Sequence, residues 1–461
     1  MFDIPTVDVD MAAHVIMERA AFPASAPSVA AVPTRAVAQE KASATRKSLT
    51  AGLMLAVRFI QARFISVWGL LVAAALCPPQ AFADFAVFSA FANFVAIAAL
   101  MRLEAIFFQT SDRDRLGRAF RLALAAGTAF LGLVACVVIA GMALDWIEPS
   151  VALLFLVSLT GRSVLRLLWS EATAEGDFKV IGNSNVVQAV VQPVLMLLLI
   201  WSLGANSYAL FLADALGHAV AATYLIWLRR KALVALVRPR FWSLSELLAS
   251  AIRWRDAPRY LLPSALLSYG FTIAPLMALP YGGNPLLAAH VALAMRLLDV
   301  PTQMYATVSG PLVLNHLRAL PEAKRQSWVR LVTLGLIAGA VALFGGIALV
   351  ALGVDSMLAD GQWRGVGEIV AIMTLFYCGI ALVSPLHDIA SLSRHPLQHV
   401  ATNAVALLAA ALVMLWFGAL SMPLLYVLGI VSLARMLAQI RFAWTRLGPE
   451  GSPILKPEMS G

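Results

Sequence analysis

From Thr50 to about residue 443 the chain is a succession of long apolar blocks separated by short polar interruptions. Twelve blocks can be drawn, at 51–77, 83–106, 119–144, 150–170, 180–203, 208–228, 260–281, 287–309, 329–352, 366–386, 400–418 and 423–443. A helix needs about 20 predominantly apolar residues to cross a hydrocarbon core of about 30 Å, so each block predicts one membrane span. The expected fold is an all-α polytopic membrane protein of about 12 transmembrane helices. Residues 1–48, rich in Ala, Pro and Ser with charges of both signs, predict a disordered cytoplasmic tail. Residues 447–461 form a second tail.

The interruptions orient the chain. Loops after even-numbered spans hold Arg113, Arg115, Arg118 and Lys179, then Arg229, Arg230, Lys231, Arg238, Arg240, Arg253 and Arg255, and later Arg318, Lys324, Arg325 and Arg394. Loops after odd-numbered spans hold almost none, Arg364 being the exception, and the one running from Asp145 to Glu148 is acidic. By the positive-inside rule both termini are cytoplasmic, as an even span count also requires. The longest loop, 232–258, separates an N-terminal six-helix lobe (49–231) from a C-terminal one (259–446). It is expected to lie along the cytoplasmic interface, with Ser243 and Glu246 as a capping pair opening a short helix. Two such lobes related by an axis along the membrane normal are a known transporter plan, with the substrate path between them.

Composition narrows the function classes. The chain is 61% hydrophobic and 13% charged, far from the roughly one-quarter charged residues of a soluble domain. Its formal charge of +9 is spread over short loops, so topology explains it better than nucleic acid does. Cys77, Cys136 and Cys378 are isolated in apolar context and suggest neither disulfide nor metal. No nucleophile motif appears, Gly335, Gly339, Gly345 and Gly346 read as helix-packing glycines, and the outer loops are too short to build an active site. The chain reads as a transporter and not an enzyme, with no cofactor expected.

Ionisable groups inside spans are where transport chemistry should show, because an Arg at mid-membrane costs about 2.5–3.5 kcal/mol and persists only beside a partner or a wet cavity. The segment from Tyr260 to Leu314 reads as two apolar helices joined by Gly282-Gly283-Asn284-Pro285, and the second carries Arg296 and Asp299 in mid-run. Three apart on one helical face, these two could instead simply neutralise each other. Arg58 and Arg63 lie in span one, Arg162 and Arg166 in span four, Asp214 and His218 four apart in span six, and Arg435 in span twelve. Arginine dominates the set. Its planar fork matches phosphate oxygens, so a path lined by guanidinium groups suits an anion. Asp214, His218 and Asp299 are the candidates for coupling to H⁺ or Na⁺, with a packed, mutually satisfied Asp214–His218 pair as the plainer reading.

Several stretches also resemble a known family. Cys77-Pro78-Pro79-Gln80 running into Phe85-Ala86-Val87-Phe88 and on to Met101-Arg102-Leu103-Glu104, Phe178-Lys179-Val180-Ile181, Leu262-Pro263-Ser264-Ala265, Ala294-Met295-Arg296-Leu297-Leu298 with Pro301, and Ser384-Pro385-Leu386 are similar to bacterial polysaccharide flippases. These belong to the multidrug, oligosaccharidyl-lipid and polysaccharide exporter superfamily. Cys77-Pro78-Pro79 departs from the more usual Leu-Gly-Pro type of turn, and Met295 stands where Tyr is common. The resemblance implies a carrier of undecaprenyl-pyrophosphate-linked oligosaccharide for exopolysaccharide or O-antigen assembly in the bacterial inner membrane, working beside polymerase and export machinery. It places Arg296, Arg58 and Arg63 on the central cavity, with Arg162 and Arg166 second. The rival readings are a drug or organic-cation antiporter of the same fold, which would prefer acidic groups in the cavity, a membrane polysaccharide polymerase or ligase, and a non-transporting assembly partner.

Overall fold

Each of the twelve apolar blocks carries helix in the computed structural model, which describes residue 58 and residues 61–109, 113–238, 242–278, 284–319, 322–355, 363–391 and 396–445. The described residues fall within one unit, residues 52–461. The two expected tails, and the glycines of the Gly282-Gly283 turn, lie outside them. In chain order the helices are α1 (Gln61–Leu76), α2 (Pro79–Ala99), α3 (Arg113–Ala143), α4 (Pro149–Ala174), α5 (Phe178–Leu203), α6 (Ser207–Leu236) and the short α7 (Leu244–Arg253). There follow α8 (Leu262–Thr272), α9 (Ala274–Met277), α10 (Pro285–Ala319), α11 (Glu322–Asp355), α12 (Val366–Ser391), α13 (Pro396–Phe417) and α14 (Met422–Thr445). No strand occurs among the described residues.

Among the described residues nine of these helices are long and apolar enough to cross a membrane, and α1, the α8–α9 pair and α10 are not counted with them. The described part of α1 is a shorter apolar helix, Gln61–Leu76, whereas α10 carries Arg296, Asp299 and Gln303 in mid-helix. The seventh span, expected as one helix over 260–281, is broken at Ile273, where the chain turns before restarting at Ala274-Pro275. Pro275 has no N–H to continue the ladder and disfavours helical backbone in the residue before it, so a break here follows from the sequence itself.

The second span also departs from expectation. Helix α2 stops at Ala99, and Met101 and Arg102 take left-handed backbone (φ 50° and 59°) before a 3₁₀ segment, Leu103–Gln109. Arg102 and Glu104 therefore leave the helix axis instead of ending it. In the expected linker, α6 runs on to Leu236 and α7 is formed, but Ser243 makes no side-chain cap; its hydroxyl lies 2.6 Å from Ser245 Oγ. The expected glycine packing is likewise corrected on α11: a side chain at Gly335, Gly345 or Gly346 would meet nothing within 4 Å, and Gly339 alone faces a neighbour, Tyr305.

Among the described residues the two larger of four apolar clusters organise the interior. One joins α2 to the helices after α7 through Phe82, Ala86, Phe271, Val291, Phe376 and Leu424. The other packs the end of α2, the 3₁₀ segment, α3, α4 and α6 through Phe107, Phe120, Leu168 and Leu225. Large apolar side chains such as Trp68, Leu133, Trp201, Leu349 and Trp416 point outward. In lipid this exposure is favourable, and packing the bundle gains little from water exclusion because hydrocarbon is as apolar as Leu. Close packing and buried polar contacts then carry specificity, which is why the charged residues repay attention.

Candidate functional site

Helix α10 sets the site. Its Arg296 and Asp299 do not form the intrahelical lock that their spacing allows: among the described residues Arg296 makes no ion pair within 4.0 Å. The Arg296 guanidinium lies over the Phe85 ring of α2, 5.4 Å from its centroid, and its buried Nη2 donates to no protein acceptor. A cation over an aromatic face gains about 0.5–2 kcal/mol, which holds the group in place without neutralising it. Asp299 instead accepts from Gln303 one turn on, at 2.5 Å, and Gln303 Oε1 accepts from Arg63 Nη2 of α1. Arg63, Asp299 and Arg296 are close enough to feel one another's charge. Among the described residues Asp299 is the carboxylate of this set, and the Arg296 guanidinium keeps a positive charge that no ion pair neutralises.

A second polar cluster lies among α2, α4, α5 and α6. Arg162 is buried and bonds both carboxylate oxygens of Asp214, at 2.9 and 2.8 Å, Ser89 Oγ and Asn93 Oδ1 at 2.9 Å each, and Ser158 Oγ at 3.1 Å. Asp214 is completed by Ser158 at 2.8 Å and Gln192 at 3.2 Å. His218 Nδ1 sits 2.8 Å from the Asp214 backbone oxygen and 3.6 Å from its carboxylate. The expected Asp214–His218 pairing is thus secondary, and the chief partner of Asp214 is Arg162. Gly161 permits this closeness, since a Cβ there would come within 2.9 Å of the His218 backbone. Beside Asn93, Phe94 of α2 stacks on Tyr269 of α8, ring centroids 6.4 Å apart, so α2 also meets the helices that follow α7.

The remaining candidates are dispersed. Arg166 pairs with Glu104 at 2.9 Å, and Arg102 lies 3.4 Å from the same oxygen. Arg58 donates to Asn183 of α5 and lies against Gly182. Of the five arginines proposed for substrate, the structure brings Arg63 and Arg296 together, commits Arg162 to Asp214, and places Arg166 and Arg58 in separate contacts. A further ion cluster ties α4 to α6: Arg229 bonds Glu171, Glu175 at 2.6 Å and Asp177 at 3.0 Å. Among the described residues no group of three or more His, Cys, Asp or Glu is placed to hold a metal.

Sequence reasoning missed the neutral partners: Ser89, Asn93, Ser158, Gln192 and Gln303. A signal existed, for Ser158 and Gln303 stand one helical turn from Arg162 and Asp299, where side chains meet.

The fold has known counterparts. The lipid II flippase MurJ in an inward closed conformation matches with a TM-score of 0.62 at 9% identity, over 84% of this chain and 87% of that one. An inward-facing multidrug resistance MATE family transporter of the MOP superfamily matches at 0.56 and 14% identity, over 84% and 98%. A mutant of the Vibrio cholerae MATE transporter VcmN matches at 0.53 and 15% identity, over 85% and 98%. No protein-family model matches the sequence, and no curated protein matches it. This chain is an all-α, multi-pass membrane protein with the fold shared by MATE transporters and the lipid II flippase MurJ.

Proposed function

We propose that this chain is a flippase that moves an undecaprenyl-pyrophosphate-linked oligosaccharide from the inner to the outer leaflet of a bacterial cytoplasmic membrane, supplying exopolysaccharide or O-antigen assembly. The observation that carries the reading is Arg296, whose guanidinium is held over Phe85 with a buried nitrogen that has no protein acceptor. An unneutralised guanidinium between spans is stabilised by a bound anion, and a pyrophosphate offers several acceptors to its fork. Arg63, linked to Asp299 through Gln303 by two hydrogen bonds, brings a second guanidinium to the site. The lipid tail stays in the bilayer while the two lobes rock about the head group. One structural neighbour, MurJ, is by name a lipid II flippase.

The second reading, a drug or organic-cation antiporter, is favoured by the MATE neighbours and by Asp299. A cationic substrate needs a carboxylate at its disposal. Asp299 already accepts from Gln303 beside two guanidinium groups, and Asp214 is occupied by Arg162, so the anionic substrate is preferred.

The test is deletion of the gene in its source cell, with leaflet sidedness of lipid-linked repeat units assayed and complementation by wild type, Arg296→Ala and Arg296→Lys. The expected result is intact units trapped on the cytoplasmic leaflet, rescue by wild type, none by Arg296→Ala made at normal level, and partial rescue by Arg296→Lys. Units that reach the outer leaflet and stay unpolymerised would overturn the reading in favour of a polymerase or assembly partner.

A further inference from the structure

Arg435, a buried arginine on α14, is held differently from Arg162 and Arg296. Arg435 is 3% exposed, and among the described residues no carboxylate lies within 4.0 Å of it. One edge of its fork is taken by neutral oxygens: Nε and Nη2 donate to Asn403 Oδ1 of α13 at 3.0 and 2.7 Å, and Nη2 also to Ser268 Oγ of α8 at 2.7 Å. Asn403 is committed in turn, its amide donating to the Ser264 backbone and hydroxyl oxygens at 3.3 and 3.2 Å. The guanidinium carbon stands 4.9 Å from the Phe271 ring centroid. Nη1, on the opposite edge, makes no hydrogen bond.

One turn further along α14 is Gln439, 0% exposed, with neither amide atom hydrogen-bonded to protein. Residues four apart on a helix share a face, so Gln439 lies on the Arg435 side of α14. Each buried unmade hydrogen bond costs about 1–3 kcal/mol, and a buried cation without a counter-charge costs more. The missing counter-charge of Arg435 and the missing acceptor of Gln439 Nε2 are relieved together by one acceptor carrying negative charge, and a water hydrating it supplies the donor that Gln439 Oε1 lacks.

We infer that α8, α13 and α14 enclose a binding site for a small monovalent anion, held by Arg435 Nη1 and Gln439 Nε2. A single guanidinium matches a single negative charge. Full burial of Gln439 and the Phe271 ring against Arg435 limit the occupant to a halide-sized ion, which separates this site from the one on α10 built for a larger head group. Bound there, the anion completes a three-helix clamp, because the arginine that holds it also holds Ser268 of α8 and Asn403 of α13. The inference is independent of the substrate carried.

The test uses purified full-length protein in lipid nanodiscs, its thermal unfolding followed while chloride replaces gluconate at constant ionic strength. The wild-type midpoint is expected to rise saturably with chloride, as mass action requires of an ion bound by the folded state. In an Arg296→Gln background, which removes the anion-binding guanidinium of α10, the response should persist, Gln439→Leu should raise the half-saturating chloride concentration at least tenfold, and Arg435→Gln should abolish the response. Should Arg435→Gln fail to fold, a bromide-soaked crystal of the wild type decides the matter by its anomalous peak. A midpoint indifferent to chloride, a Gln439→Leu response equal to wild type, or bromide found only between Arg63 and Arg296 would overturn the inference.

Discussion

Removing the Asp214 carboxylate is the sharpest probe of how this bundle holds together. Asp214→Leu takes from Arg162 both of its charged bonds, at 2.8 and 2.9 Å, and leaves Ser158 and Gln192 without their acceptor. Arg162 is then a buried cation with only Ser89, Asn93 and Ser158 around it. Breaking a buried ion pair from one side costs about 3–5 kcal/mol, most of it the uncompensated charge left behind. That origin makes a second prediction. Arg162→Met in the same chain removes the orphaned charge, so the double variant should be more stable than Asp214→Leu alone by about 2 kcal/mol or more, a non-additivity typical of residues in direct contact. The assay is equilibrium unfolding of the four proteins in mixed micelles titrated with a denaturing detergent. A cost below about 1 kcal/mol for Asp214→Leu, or single-variant costs that simply add, would refute the reasoning and mean that water or lipid head groups reach the pair.

Other consequences can be checked alongside. Gln303→Leu breaks the contact between α1 and α10 and should reduce the rate of repeat-unit translocation at least tenfold at unchanged expression, on the order of one lost charged hydrogen bond; an unchanged rate would detach Arg63 from the site. Gly161→Ala forces a methyl to within 2.9 Å of the His218 backbone and should destabilise by about 1–3 kcal/mol, whereas Gly335→Ala, facing open space, should be neutral or stabilising by up to about 1 kcal/mol. Thermal unfolding in nanodiscs compares the two directly. Arg229→Met leaves buried Glu171 beside Glu175 and Asp177 and should cost about 3–5 kcal/mol at neutral pH, read as a lower unfolding midpoint than that of Arg230→Met on the same helix.

Much of the architecture was legible in the order of the residues. Hydrocarbon tolerates no unpaired backbone, so a block of about 20 apolar residues has one solution, a helix, and twelve such blocks mark twelve helix-bearing segments whatever their packing. Pro275 likewise foretold a break that block-counting passed over, because a missing N–H is a local fact. Mid-span arginines were also visible as expensive residues in need of partners. Which partner each would find was not. Arg162 and Asp214 are 52 positions apart, Arg63 and Gln303 240 apart, and Arg435 and Ser268 167 apart. Spacing along one helix suggested Arg296 with Asp299 and Asp214 with His218, and in both cases a side chain from elsewhere, or an aromatic face, took the place of the near neighbour. The cost of a buried charge is written in the sequence residue by residue, but its compensation depends on which helix faces which, and only the packed bundle decides that.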